Sequence, residues 1–522
     1  MILSVFICVH LWLIFLTSCS SKPADLRTLI PADSLVYLES NDLGAVMNAI
    51  TERPAFREVA KTIPDFSILN GVKLAVAVTG FESKEIPVTD ENAILNFTPR
   101  FVAVLETNAW NYQAIAFTEH KLGEFINQVY GGGVLLETSD KQDGKYFVWS
   151  SNDGRRAFAL VQGSVVFFGN NETSIEKCLA VKRGEAEPIS KNPKITNGDR
   201  LAFGYVSPDG VAQIANLVSI KLASEASDEP EVRRSIVSIL PRLIRNSFSD
   251  VSWAATKTEK GIEDNYLISM PPDIANVLNE TIASANSPDL SLLDIVPINA
   301  KSVTLYNLKD PQVAWRSIVL TAQKQTDIFS AEIIAAFTEA IFDSYGIRDP
   351  EKFLSAVGST IVTAKMDENG EKPVTIATIA RLDDLQRAVS SKAKELADDS
   401  PHEMSIMGSD IIGVSYVNNR IHLGDVNSII ECIAKETNNP IKPQIELRQQ
   451  IGEPNYVIVT VGKENSQVGD IVSVLVLKNS EDSKAKSDYK IESRFTKQGI
   501  ERRTVSDFGF IGWIITQFGK DE

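Results

Sequence analysis

Serine, histidine and cysteine are the side chains of this 522-residue sequence whose spacing could support chemistry, and most of their arrangements fall short. Ser415, in Gly413-Val414-Ser415-Tyr416-Val417, comes nearest to a nucleophile elbow, but the second glycine that permits the sharp turn is missing. It reads as a strand residue. Ser391-Lys392-Ala393-Lys394 and the stretch from Ser483 to Lys486 satisfy Ser-x-x-Lys without the Ser-Asp-Asn and Lys-Thr-Gly that such a site also needs, so helix-surface and loop positions explain them. His402-Glu403 begins like a zinc-protease helix, yet Ile406 stands where the second ligand belongs. His422, within Arg420 to Leu423, reads as a partly exposed strand histidine. Asp367-Glu368-Asn369-Gly370 lacks the later ligands of a calcium loop and reads as a hairpin turn. Gly131-Gly132-Gly133 is not followed by Gly-Lys-Ser/Thr, so no phosphate cradle is expected. The sequence predicts no catalytic residue, no metal and no cofactor.

One cysteine remains with a chemical reading. Ile2 to Leu16 is an apolar run of about fifteen residues, short for a membrane span and suited to the core of a signal peptide. It leads into Leu16-Thr17-Ser18-Cys19, which resembles the bacterial lipobox: cleavage would follow Ser18, and Cys19 would become the lipidated N-terminus. No Lys or Arg precedes the run, which departs from the usual pattern. Ser20 and Ser21 follow without an Asp, which in such lipoproteins points to the outer membrane. The expectation is an exported protein, lipid-anchored at the periplasmic face of a bacterial membrane. Of the remaining cysteines, Cys8 lies in the signal segment. Cys178 and Cys432 each sit among apolar neighbours on an expected helix and read as buried thiols, with a single bridge between them left open.

The elements that must position these residues form a pattern that occurs twice. Ala157 to Ala180, AFALVQGSVVFFGNNETSIEKCLA, returns at Ile412 to Ala434 as IGVSYVNNRIHLGDVNSIIECIA. Both read as two apolar strands, a glycine exit and a helix bearing Ser-Ile-x-x-Cys. Leu35 to Glu39 with a helix capped by Asp42 matches Val303 to Asn307 with a helix capped by Asp310. Phe66 to Val78 matches Phe353 to Lys365, Arg100 to Glu106 matches Pro373 to Ala380, and Leu201 to Val206 matches Tyr456 to Val461. Helices are expected near His120 to Tyr130 and over Leu382 to Leu396. Thr258 to Glu263 and Thr496 to Glu501 each place a glycine at a hairpin turn.

These matches predict an α+β fold of two homologous repeats, each a mostly antiparallel sheet with helices packed on it. The expected division is a signal peptide over 1–18, a tether over 19–28, repeat one over 29–271, a connecting helix over 272–289 and repeat two over 290–522. Between Val232 and Arg245 an apolar stripe runs beside Arg233, Arg234, Arg242 and Arg245; Pro241 is expected to interrupt that helix, which reads as core packing. Phe508 to Phe518 reads as a terminal helix on its own core.

Apolar residues make up 43% and charged residues 23%, the balance of a globular chain, and a formal charge of -16 repels phosphate backbones. Nucleic acid is therefore excluded as a partner. The entry Pro31-Ala32-Asp33-Ser34-Leu35-Val36-Tyr37, the strand from Gly71 to Val78 and the stretch Ala157 to Ala180 resemble a bacterial family of exported proteins that is defined as a domain of unknown function. The resemblance implies fold and envelope location, with no catalytic residues to carry over. The function expected is non-catalytic binding or scaffolding by a lipid-anchored envelope protein, its membrane contact made through Cys19 and its partner a protein or small molecule. Alternatives are an envelope hydrolase whose site is dispersed in sequence, and a carrier with a deep apolar pocket.

Overall fold

The computed structural model describes residues 24–54, 69–89, 92–226, 230–285, 287–326, 342, 345–367, 372–389, 394–395, 412–437, 444–451, 455–462 and 488–512. Cys8, Cys19, Ser391, His402, Ser483 and residues 513–518 lie outside them. The described residues are α+β, with strands that pair antiparallel in all but one case. They cluster into two compact units, one drawn from Met1–Met47 and Asp65–Gly204 and the other from Asn48–Pro64 and Tyr205–Glu522.

In the first unit, β1 (Val36–Ser40) leads to α1 (Leu43–Thr51). Asp42 Oδ1 accepts from the Ala45 amide at 3.0 Å and caps that helix, as its residue type predicts. A long hairpin follows, β2 (Lys73–Thr89) and β3 (Asn92–Glu106). Then α2 (Asn111–Phe117) continues through a π turn at Thr118–Leu122 into α3 (Gly123–Val129). Gly131, Gly132 and Gly133, with φ of +79°, +87° and +70°, end that helix in a conformation other residues resist. The chain goes on through β4 (Leu135–Lys141), β5 (Gly144–Ser150), β6 (Arg156–Gln162), β7 (Val165–Gly169), α4 (Glu172–Lys182) and β8 (Ala202–Val206). Their order in the sheet is β8-β1-β2-β3-β7-β6-β5-β4. Phe147, Trp149, Ala159 and Val166 pack with Ala114 of α2 and Ile126 of α3 on one face. Alternation turns Leu160 and Phe167 to the other face, the side of α4.

The second unit begins with α5 (Pro208–Ala226) and α6 (Pro230–Ser247), which pack on each other. Contrary to the interruption expected at Pro241, α6 runs through it. Proline denies a hydrogen bond to the carbonyl of Val237, and that residue is 39% exposed, where water can supply the partner. The remaining elements are β9 (Val251–Thr258), β10 (Gly261–Ser269), α7 (Pro272–Thr281), β11 (Ser302–Asn307), α8 (Pro311–Lys324), α9 (Pro350–Ala356), β12 (Val357–Lys365), β13 (Pro373–Ile379), α10 (Leu382–Ala388), β14 (Lys394–Glu395), β15 (Ile412–Val417), β16 (Arg420–Asp425), α11 (Val426–Thr437), α12 (Ile445–Ile451), β17 (Ile458–Gly462), β18 (Tyr489–Thr496) and β19 (Gly499–Ser506). The helix expected to reach Leu396 stops at Ala388, because Val389 turns extended and forms a bridge with Ile347.

The strand order of the second unit is β9-β10-β19-β18-β17-β11-β12-β13-β16-β15-β14, with only β14 and β15 parallel. One face buries Leu292, Val303, Val362, Ile376, Ile429 and Cys432 beneath α11. The other buries Phe353, Leu385, Val414 and Ile421 beneath α9 and α10. Gly261 and Gly499 do more than mark their hairpins: a Cβ on Gly261 would stand 2.2 Å from the Ser506 carbonyl oxygen, and one on Gly499 would stand 2.1 Å from that of Ile268. The side-by-side pairing of β10 and β19 therefore requires both glycines.

Candidate functional site

Two features of the second unit bring polar or ligand-accessible groups together. The first is buried. Antiparallel pairing sets Ser415 of β15 and Ile376 of β13 on either side of His422 in β16, all three facing α11. On that helix Ile429, Cys432 and Glu436 fall on one stripe, so the helix presents a carboxyl group to the histidine. His422 is 0% exposed, Ser415 1% and Glu436 4%. The expectation of a partly exposed histidine is thus corrected: the side chain points to the helix-covered face, away from solvent.

Arg420 donates from Nη1 to Glu436 Oε1 at 2.8 Å and from Nη2 to Ser291 Oγ at 3.0 Å. His422 Nε2 lies 3.2 Å from Glu436 Oε2, within ion-pair distance, and neither atom has a formed hydrogen bond. Burial raises the Glu436 pKa, but His422 and Arg420 more than reverse this and hold the carboxyl below its ordinary range. Among the described residues Ser415 Oγ and His422 Nδ1 have no hydrogen-bond partner. A serine nucleophile needs a base bonded to it and a route for substrate. Ser415 has neither, so this Ser-His-Glu grouping is a sealed polar cluster within an apolar core.

The second feature is open. A groove of about 1400 Å³ lies over β11, β17, β18 and β19, between α12 and the tip of the β9–β10 hairpin. Ile298 and Ile445 stand on its rim, 81% and 63% exposed, and Val303 and Val461 continue the apolar side. The opposite side is charged, and several of its cations are engaged within the protein. Arg503 donates to Glu492 and Glu263, each at 2.6 Å, and Lys490 reaches Glu492 at 2.6 Å. Hydrogen bonding to Glu263 raises the Arg503 pKa and lowers that of Glu263. Lys435 donates to the Val296 carbonyl at 2.6 Å, and its partial burial lowers its pKa.

Cys178 and Cys432 are buried and unbridged, and burial pushes both thiols up to about 12, a range in which they are poor nucleophiles. His120 is exposed on the π turn of the first unit. The proposed lipid acceptor, Cys19, lies outside the described residues. Sequence reasoning missed Glu436 and Arg420, although a signal existed: a glutamate sits four residues after Cys432 on an apolar helix stripe, and an arginine sits two before His422 on the same strand face. The groove had no such signal, since strands distant in sequence build its floor.

Among the described residues no group of three or more His, Cys, Asp or Glu is placed to hold a metal ion, and no helix is long and apolar enough to cross a membrane. Comparison with models of known families, with curated proteins and with solved structures found no match.

Proposed function

We propose that this chain is a lipid-anchored envelope protein, formed by duplication of one α+β unit, that binds an extended polypeptide segment in the groove of its second unit. The groove carries this reading. Its volume exceeds the roughly 300–1,000 Å³ typical of small-molecule pockets. Arg503 and Lys490 on its charged side are paired within the protein, whereas Ile298 and Ile445 offer apolar area with no cover among the described residues. A ligand with an apolar face and a polar back suits that division. Arrayed short peptides exposed to the purified chain should select sequences with apolar anchors. Ile298→Glu and Ile445→Glu should reduce that binding about tenfold or more, in line with the loss of buried apolar contacts. Equal selection by the native chain and both variants would remove the groove reading.

Duplication is supported by strand order: β8-β1-β2-β3-β7-β6 of the first unit matches β17-β11-β12-β13-β16-β15 of the second. It is also supported by the β10–β19 register. When the glycine-marked hairpins are aligned, Gly261 on Gly499, the residues equivalent to each other are Asn265 and Arg503, and these two are paired directly. The hairpins thus meet as two like objects do across a dyad. The lipid anchor has its own test: radiolabelled palmitate should enter the native chain and not Cys19→Ala, and equal labelling would sink the anchor while leaving the groove reading standing.

A further inference from the structure

Trp110 and Tyr112 of the first unit are 70% and 68% exposed, more than any other aromatic side chain among the described residues. They sit where β3 ends and α2 begins, and the chain there is fastened in place. The Thr107 amide donates to the Ser164 carbonyl at 3.1 Å, and the buried Glu106 carboxylate accepts from the Asn108 amide at 3.0 Å. Asn108 turns the chain at φ +52°, a left-handed conformation that asparagine tolerates, and donates from Nδ2 to the Gly71 carbonyl at 2.7 Å. Gln113 Oε1 accepts from the Trp110 amide at 3.0 Å. A braced corner therefore holds two large rings in water, where each ring leaves apolar area without cover among the described residues.

This corner lies at the end of the sheet from which the N-terminal tether leaves. Ala24 and Arg27 line a small cleft with Ser40, the last residue of β1, and with Lys73 and Leu74, the first two of β2. Lys73 is paired with Glu106, and Trp110 follows four residues after it. With lipid on Cys19, the five residues from there to Ala24 span at most about 18 Å, which keeps this end of the unit close to the bilayer surface. Charge agrees with that placement: the stretch Thr107 to Thr118 carries no charged side chain in a protein of net charge -16, so nothing on it repels lipid phosphate. Tryptophan and tyrosine favour the boundary between headgroups and acyl chains, because the ring enters while its N–H or O–H keeps a polar partner. We propose that Trp110 and Tyr112 form a membrane-interfacial contact, seated among phospholipid headgroups beside the lipid anchor, that fixes how the first unit lies on the bilayer. The placement rests on the anchor reading above; the preference of the two rings for the interface does not.

Vesicles of phosphatidylcholine brominated in the upper acyl chain test it, since bromine quenches a tryptophan that enters the interface. The native chain should lose tryptophan fluorescence on such vesicles relative to unbrominated ones, and Trp110→Phe should abolish that loss. The substitution is at an exposed ring and leaves the buried Trp149 and Trp253 in place as internal controls. No quenching in the native chain, or equal quenching in Trp110→Phe, overturns the contact. Emission that shifts with added N-acetylglucosamine oligomers and not with vesicles would assign the corner to a glycan and overturn it equally. Flotation of the native chain and of Cys19→Ala with the same vesicles keeps the two readings apart. A native chain that floats through Cys19 without quenching at Trp110 would refute the contact and leave the anchor standing. Quenching at Trp110 that persists in Cys19→Ala, with the native chain taking up no palmitate, would uphold the contact and refute the anchor alone.

Discussion

The hairpin and helix β6–β7–α4 and their counterparts β15–β16–α11 share a backbone plan but bury opposite chemistry. In the first, Leu160 faces Phe167 across the strand pair, 1% and 0% exposed, and Lys182 at the end of α4 is exposed and reaches Gln162 at 2.7 Å. In the second, the same places hold Ser415, His422 and Glu436. Other positions keep their roles. The cysteines are buried in both, and each exit glycine lies against a neighbouring strand, where a Cβ would meet the Phe101 carbonyl oxygen at 2.5 Å or that of Pro373 at 2.1 Å. The frame therefore accepts an apolar filling, and the polar one is not dictated by packing. A buried ionic group that the fold could replace with hydrocarbon is weak as a source of stability.

Exchanging the fillings tests this comparison most severely. Phe167→His removes a fully buried ring and inserts a polar group where α4 places Lys182 instead of a glutamate, so it should destabilise by about 4 kcal/mol in urea unfolding. A loss below about 1 kcal/mol would mean that the two sites are less different than they look. Glu436→Ala comes next. It strips Arg420 of its buried partner and should lower stability by about 3 kcal/mol, whereas Lys182→Ala, on an exposed side chain, should change it by under about 0.5 kcal/mol. Equal effects of the two would break the comparison from the other side.

The reverse exchange is the constructive one. Ser415→Leu with His422→Phe gives the second region the filling of the first while leaving Arg420 on Glu436, and it should hold stability or raise it by about 1–2 kcal/mol near neutral pH. A large loss would show that the histidine is needed for packing in its own right. Much of this frame was legible from sequence. The alternation of AFALV and VVFF, the N-cap residues Asp42 and Asp310, and the glycines of both hairpins each act over a few residues, so local pattern reveals them. The burial of His422 was not legible, because strand alternation says only which residues share a face. Whether that face meets water or a helix is decided by α11, and the clue lay in a glutamate on that helix's apolar stripe. The groove depended on register between strands far apart in the chain, which no local pattern encodes.

A second buried carboxyl sharpens the comparison through its sign. Asp264 in β10 accepts from Trp253 Nε1 at 2.8 Å and from the Phe510 amide at 2.9 Å, yet at 1% exposure burial outweighs both bonds and pushes it up to about 7. Glu436, at 4% exposure, is held below its ordinary range because its contacts with His422 and Arg420 outweigh burial. The linkage therefore runs in opposite directions. The folded state keeps the Asp264 proton between the ordinary value of 3.8 and about 7, where the unfolded chain has released it, so this contribution is complete at low pH and is lost as pH rises through that interval. The Glu436 contribution is complete above the ordinary value of 4.5 and is lost as pH falls below it. Asp264→Asn keeps an acceptor near Trp253 and cannot ionise. At about pH 8 its effect on stability should stay within about 1 kcal/mol, the smallest change proposed, while the fall in melting temperature between about pH 4 and about pH 7 flattens relative to the native chain. A variant that keeps the native slope would show that Asp264 ionises freely in the folded protein, and that burial alone does not separate these two carboxyls.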